Sequence, residues 1–154
     1  MSLSALVIGY GSIGKRHAHI LNEMDEISHV TVLSIQPDIP FDTITTLQEI
    51  SDINPDYVVI ASITSLHFEQ LYYLKENFSE KKVLIEKPLF SSLNNLELEN
   101  HKVFVGYNLR FHPLLQKIKI NISSNKLWNI HVLSGSYLPS WRPRRDYRKT
   151  YSAK

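Results

Sequence analysis

Three closely spaced glycines near the N-terminus are the first residues whose type and spacing indicate chemistry. Gly9, Gly11 and Gly14 form the pattern G-x-G-x-x-G directly after the apolar run 5–8. In this pattern the first glycine makes a tight turn, the second leaves room for a pyrophosphate, and the third lets a helix press on the strand. The free N–H groups and the dipole of that helix then face phosphate oxygens. The pattern predicts a dinucleotide site, and the alternative is an ordinary glycine turn in an α/β domain.

Further residues of the same predicted site contact the ribose and the phosphates. Ser12 and Ile13 lie between the glycines and belong to the predicted contact. A residue roughly 20 positions beyond the glycines decides which dinucleotide fits, because an acidic residue binds the ribose hydroxyls and a basic one accommodates a 2′-phosphate. Ser34 occupies that position, whereas Lys15 and Arg16 can reach a 2′-phosphate from the helix. The sequence leaves the choice between NAD and NADP open.

An acidic and a basic residue follow a later apolar run. Glu86 and Lys87 come directly after the run 82–85 and precede Pro88. The carboxyl ends of parallel strands are where ligands bind in α/β sheets. A carboxylate and an ammonium group at such an edge are candidates for proton transfer or for hydrogen bonds to a substrate. The alternative is a surface ion pair.

The elements that must position these residues are visible as apolar runs separated by helical patterns. The run 57–61 is apolar on both faces, which is typical of a strand inside a parallel sheet. The predicted strands comprise residues 5–8, 29–33, 57–61, 82–86 and 103–107. Strands that alternate with helices predict an α/β fold, namely a Rossmann-like doubly wound parallel sheet.

Helices are predicted between and after these strands. A short helix is expected over 43–50, with Leu47 and Ile50 facing inward. A longer helix is expected to be capped by Thr64 or Ser65, with an apolar stripe packed in the core. That stripe consists of Phe68, Leu71, Tyr72 and Leu74. A final helix begins at Pro113, because proline suits the first helical position.

The C-terminal part of the chain differs from the rest in composition. Residues 127–137 alternate enough to predict a further strand, and residues 137–154 hold six Lys/Arg and one Asp. We expect a dinucleotide-binding domain over 1–122, followed by 123–154 as the first strand and the basic aromatic tail of a truncated second α/β domain. Nucleic acid is not an expected partner, because prolines and aromatic residues interrupt the basic tail.

Composition excludes several other classes of protein. The chain of 154 residues is 43% hydrophobic, so it can form one sizeable core. It has no cysteine, which rules out disulfides and thiolate metal sites, and no metal site is predicted. No apolar run approaches the roughly 20 residues that cross a bilayer, and no signal peptide pattern is present. We therefore expect a cytoplasmic protein without a membrane partner.

Several separate stretches resemble one family, the Gfo/Idh/MocA oxidoreductases, which are relatives of glucose-fructose oxidoreductase and inositol dehydrogenase. The match Glu86-Lys87-Pro88 is the most specific of them, and the matches cover nearly the whole chain in the family's order. They comprise residues 9–17, 56–61 with His67, 86–88 and 105–113. The tail 137–153 also resembles a branch of this family that is associated with bacterial surface-sugar pathways.

The resemblance implies an NAD(P)-dependent enzyme that transfers hydride between a nicotinamide and a hydroxyl or carbonyl carbon of a sugar or cyclitol. The resemblance further implies that Ser62, Thr64 and His67 flank the path from adenosine to nicotinamide. For His67, the alternative is a solvated histidine at a helix start. Glu86 and Lys87 are implied to lie beside the nicotinamide, with Lys87 bonding the reacting oxygen and relaying its proton.

The remaining expectations concern the substrate and the partner. The resemblance implies that Asn108 and Arg110 border the substrate, and the alternative is a structural link between helix and sheet. The family's catalytic Asp/His motif is expected in a second domain, so no histidine of this chain is assigned to it. A different functional class is also consistent with the sequence, namely a non-catalytic nucleotide-binding or regulatory module. Residues 127–154 would then pair with a partner chain or with a second copy.

Overall fold

The computed structural model describes residues 2–98 and 100–123. The chain divides into two units, Met1–Tyr107 and Asn108–Lys154. The predicted strand 127–137, the basic tail and the predicted partner contact through 127–154 lie outside the described residues. The predicted domain boundary at residue 122 therefore stays a prediction.

The first unit is built on a parallel sheet of six strands in the order β3-β2-β1-β4-β5-β6. The strands are β1 (Leu3–Ile8), β2 (Ile27–Leu33), β3 (Asp42–Ile44), β4 (Tyr57–Ile60), β5 (Lys82–Ile85) and β6 (Lys102–Val105). Every neighbouring pair is parallel. The strand order reverses between β1 and β4, and ligands bind at such a switch point in open α/β sheets. The predicted doubly wound fold is confirmed.

The helices of the first unit cover both faces of this sheet. They are α1 (Ser12–Asn22), α2 (Ile50–Ile53) and α3 (Thr64–Asn77). Alternate residues of β1 enter different cores, since Leu6 and Ile8 pack in one cluster and Ala5 and Val7 in the other. The first cluster includes residues of α2 and α3, and the second includes residues of α1. The run 57–61 is buried on both faces as predicted, apart from a half-buried Tyr57.

The predicted helix over 43–50 is wrong except at its last residue. Asp42–Ile44 forms β3, which pairs with the end of β2 and buries Ile44 in the core. The helix α2 begins only at Ile50. Three residues are too short a run for a periodic pattern, so the pairing with β2 decides this segment. The inward positions of Leu47 and Ile50 are confirmed.

The start and one face of α3 differ from the prediction. Ile63, in an extended conformation, occupies the cap position without a side-chain hydrogen bond, so the predicted cap by Thr64 or Ser65 is wrong. Leu71 is buried as predicted, and so is Leu74, which follows one turn later. Tyr72 is 46% exposed. The stripe is therefore only partly core.

The described part of the second unit, residues 108–123, is helical. It contains a 3-10 helix (Asn108–Phe111) and α4 (Pro113–Ser123). The predicted helix start at Pro113 is confirmed. Neither element has a buried residue.

Candidate functional site

Three neighbouring strands bring the predicted site residues of the first unit to one edge of the sheet. The backbone N–H of Ala61 donates to the Ile8 oxygen over 2.9 Å, and the N–H of Glu86 donates to the Ile60 oxygen over 2.9 Å. The strands β1, β4 and β5 therefore end level with one another. The residues that follow them are Gly9, Ser62 and Glu86, with Ser34 after the adjacent β2.

Two of the three glycines are required by close packing of the loop. Gly9 has φ +93°, in the left-handed region that favours glycine, and an added Cβ would lie 2.7 Å from the Ser62 Cα. At Gly14 a Cβ would overlap the Gly9 carbonyl oxygen and lie 3.4 Å from the Ala61 Cβ. These positions confirm the predicted tight turn and the predicted close contact of helix and strand.

The third glycine leaves an open space where α1 begins. Gly11 is the N-cap of α1, and nothing lies within 4 Å of the position that a Cβ would occupy. Ser12 and Ile13 are exposed in the first turn, which contains no acidic side chain. Backbone N–H groups of a first helical turn have no partner within the helix. The residues present therefore fit a phosphate group at this point.

The residue predicted to face the ribose is held by local backbone contacts. The N–H of Ser34 donates to the Ile44 oxygen over 3.0 Å, and its Oγ accepts the Gln36 N–H over 3.1 Å. Lys15 and Arg16 are exposed on α1. No carboxylate takes the place of Ser34, so the preference between NAD and NADP stays open.

His67 is buried and joins two loops of the site. The residue is 1% exposed, so the alternative of a solvated histidine is wrong. Its Nε2 lies 3.2 Å from the backbone carbonyl oxygen of Ser62, and its Nδ1 lies 3.1 Å from the carbonyl oxygens of both Pro88 and Leu89. Whichever ring nitrogen carries the hydrogen, His67 donates to one of the two loops.

The side chain of Ser62 is also engaged. Its Oγ donates to Oε1 of the buried Gln70 over 2.6 Å. Thr64 is half-buried at the first position of α3. The predicted contacts of Ser62, Thr64 and His67 with a cofactor stay predictions.

Glu86 is directed toward α1. Its Oε1 lies 2.8 Å from Nε2 of His17, and the two side chains are only 16% and 21% exposed. An added Cβ at Gly106 would lie 3.2 Å from the same oxygen. Lys87 is exposed. Sequence reasoning assigns no role to His17 or Gly106, although the motifs 9–17 and 105–113 contain them.

Tyr10, between the first two glycines, carries an unusual buried hydroxyl. The residue is 8% exposed, and its ring lies edge-on to Phe41 with 6.2 Å between the centroids. Among the described residues, its hydroxyl oxygen has no hydrogen-bond partner. The ring thus anchors the glycine loop in the core by packing alone.

The two residues predicted to border the substrate belong to the second unit. Asn108 and Arg110 lie in the 3-10 helix and are exposed. The Arg110 carbonyl oxygen accepts a hydrogen bond from Gln116 Nε2 over 3.4 Å within the same unit. Their role at a substrate stays a prediction.

Within residues 2–98 and 100–123, no group of three or more histidine and acidic side chains is placed to hold a metal ion. In the same part of the chain, no helix has both the length and the apolar character needed to cross a membrane.

A sequence model of one family matches residues 3–99, and it is described as an oxidoreductase family with an NAD-binding Rossmann fold. The chain belongs to the Gfo/Idh/MocA oxidoreductase family. The predicted family is thereby confirmed. The glycine loop and the Glu86-Lys87 pair lie inside the matched part.

Relatives in sequence and in structure agree with this assignment. The chain is 26% identical over 161 residues to the uncharacterized oxidoreductase YrbE of Bacillus subtilis, covering 94% of this chain and 47% of that protein. Scyllo-inositol dehydrogenase from Lactobacillus casei, solved with NAD(H) and scyllo-inositol, is 19% identical with a TM-score of 0.66, covering 84% of this chain and 43% of that one. The WlbA dehydrogenase from Bordetella pertussis, solved with NADH and UDP-GlcNAcA, is 18% identical with a TM-score of 0.65, covering 81% and 43%.

The chain spans less than half the length of these relatives. At these identities, the likeness to the solved structures shows the fold.

Proposed function

We propose that this chain is the cofactor-binding part of an NAD(P)-dependent oxidoreductase that acts on a hydroxyl or carbonyl carbon of a sugar or cyclitol. The observation that supports it best is the open first turn of α1 at Gly11, next to the loops that carry Ser62 and Glu86. The two solved relatives carry a cyclitol and a nucleotide-linked sugar, which agrees with this substrate class. The tail 137–153 favours surface-sugar metabolism in a bacterium as the context.

The proposed site residues divide by the part of the cofactor that they hold. The backbone of Gly9 to Gly14 binds the pyrophosphate, because an unpartnered first helical turn favours an anion. Ser34 lies where the adenosine ribose is expected, at the end of β2. Ser62, Thr64 and His67 flank the path toward the nicotinamide.

The nicotinamide, when bound, supplies the hydride chemistry. Glu86 and Lys87 lie at the adjacent strand end, where the nicotinamide is proposed to bind. Because Lys87 is exposed, its ammonium group is free to bond the reacting oxygen of a substrate and to exchange a proton with it. Asn108 and Arg110 are proposed to contact the rest of the substrate.

A titration with NADH and NADPH, followed by the fluorescence of the reduced nicotinamide, tests this proposal. Wild-type protein is expected to bind one of them saturably. The variant Gly11→Ala is expected to bind about tenfold more weakly, because its Cβ occupies the space proposed for the pyrophosphate. Lys87→Ala is expected to bind the cofactor as the wild type does and to remove any residual sugar-dependent turnover.

The results of these titrations distinguish the proposed cofactor site from the alternatives. A folded wild-type protein that binds neither dinucleotide would exclude the proposed site. Equal affinity in Gly11→Ala would place the pyrophosphate elsewhere. Turnover by the wild type is expected to be very slow or absent, because the family's catalytic Asp/His motif is expected in a second domain. A stable dimer in size-exclusion chromatography with light scattering would favour the alternative, a nucleotide-binding module that acts with a partner chain.

A further inference from the structure

One contact joins the two ends of the proposed cofactor site. His17 lies on α1, the helix whose first turn is proposed to bind the pyrophosphate, and Glu86 directly follows β5. Their side chains meet over 2.8 Å although 69 positions separate them in the sequence. The first turn of α1 is thereby connected to the segment that carries Lys87.

The geometry around Glu86 leaves its carboxylate little freedom. An ionised carboxylate is only an acceptor, so the His17 Nε2–H donates to it. On another side Gly106 closes the space, since a Cβ there would lie 3.2 Å from Oε1 and 3.4 Å from Cδ. Both side chains are mostly shielded from water, so this bond is stronger than an exposed pair of the same groups.

The segment after Glu86 has a second contact, in which the His67 tautomer that carries its hydrogen on Nδ1 donates to it. The carbonyl oxygens of Pro88 and Leu89 face the buried ring of His67. Lys87, which is exposed, therefore lies between two contacts. The backbone that carries its side chain is restrained on both sides.

We infer that His17 and Glu86 are positioning residues that hold the segment 86–88 ready for the nicotinamide, and this inference rests on the proposed function. Neither group touches reacting atoms in this role. The pair acts through the backbone of Lys87 and Pro88. Without this pair the segment samples other conformations. The apparent affinity for the cofactor then falls in proportion to the fraction of molecules whose segment is in the binding-competent conformation.

Two ligands distinguish this role from a general structural one. NADH contains the nicotinamide, whereas ADP-ribose contains the pyrophosphate and the adenosine but lacks it. In Glu86→Ala the Kd for NADH is expected to rise about tenfold, the effect of one hydrogen bond of ordinary net strength. The Kd for ADP-ribose is expected to change less than twofold. Glu86→Gln keeps an acceptor oxygen for the His17 N–H and is expected to restore most of the NADH affinity.

A second variant and a matched control complete the test. Gly106→Ala displaces the carboxylate by a few tenths of an ångström without removing either partner, so a selective loss of NADH affinity smaller than that of Glu86→Ala is expected. The control His29→Ala removes an exposed pair of the same chemistry, in which His29 Nε2 lies 3.1 Å from Asp42 Oδ2. It is expected to change neither affinity. Circular dichroism and urea unfolding verify that each variant is folded.

Specific results would overturn the inference. An equal loss of NADH and ADP-ribose affinity in Glu86→Ala would assign the pair to the fold as a whole, and no loss would assign it no role. Glu86→Gln as weak as Glu86→Ala would exclude the hydrogen bond as the cause. A wild-type protein that binds neither NADH nor NADPH would refute the proposed function together with the inference; if it binds only NADPH, the same comparison is made with NADPH and 2′-phospho-ADP-ribose.

Discussion

Replacing Gly14 with alanine tests whether the close contact between α1 and the glycine loop limits the stability of the fold. The added Cβ would overlap the Gly9 carbonyl oxygen, lie 2.9 Å from the Gly9 carbonyl carbon and 3.4 Å from the Ala61 Cβ. The neighbour is backbone, which cannot rotate away. The Gly9 N–H also donates to the Leu33 oxygen over 2.9 Å, so moving the loop disturbs a bond to β2.

Two opposing effects set the change in the free energy of unfolding that Gly14→Ala causes. Alanine in a helix interior stabilises by about 1 kcal/mol relative to glycine. Overpacking a close-packed site costs about 1–3 kcal/mol, and more when backbone has to shift. Since backbone is the obstacle at Gly14, we expect the cost at or above the upper end, with a net loss of about 2 kcal/mol in the free energy of unfolding.

Urea unfolding followed by circular dichroism measures this loss, with Gly11→Ala as the matched control. With a slope of about 1–2 kcal/mol/M, the midpoint of Gly14→Ala is expected about 1–2 M below that of the wild type. The control adds the same methyl group where nothing lies within 4 Å, so its loss stays within about 1 kcal/mol, the ordinary effect of alanine at an N-cap. If Gly14→Ala unfolds at the same midpoint as Gly11→Ala or a higher one, the packing argument is refuted.

Two further predictions concern polar groups in the same unit. Tyr10→Phe removes a buried hydroxyl that has no partner among the described residues, so we expect a gain of about 1 kcal/mol and a higher Tm in calorimetry; a lower Tm would reveal a partner. Hydrogen bonds from the Ser4 backbone N–H and then from its hydroxyl hold the pKa of Asp56 below its ordinary value. Stability from this group is present above the unfolded pKa, near 4, and is lost as the pH falls through the lower folded pKa. The difference in urea midpoint between wild type and Asp56→Asn is therefore expected to shrink below about pH 4; an unchanged difference would contradict it.

The sequence alone was sufficient for features that depend on local chain geometry. The spacing of Gly9, Gly11 and Gly14 predicted the turn, because only glycine tolerates the positive φ at the first position and the close contact at the third. Runs of apolar residues predicted most of the strands, because a strand inside a parallel sheet is buried on both faces. The carboxyl-edge position of Glu86 and Lys87 followed from the same pattern.

Short elements could not be predicted from apolar patterns in the sequence. The strand β3 has three residues and carries no periodic signal of its own. It forms because its backbone pairs with the edge of β2 and because Ile44 is buried in the core. The helix α3 likewise begins at Thr64 without a side-chain cap. Its start is therefore set by the position at which β4 ends.

What the tertiary structure decided is which distant residues meet. The sequence by itself determined the parallel sheet and the residues that reach its carboxyl edge, because apolar runs and their spacing encode these directly, and its motifs resembled the family. It left open whether His67 faces solvent and gave His17 no role. Packing of α3 buries His67 against the Pro88 and Leu89 carbonyls, and packing of α1 brings His17 to Glu86 across 69 positions. Such contacts form only when both elements are packed on the sheet. Neither segment alone contains a sequence pattern that predicts its contact with the other.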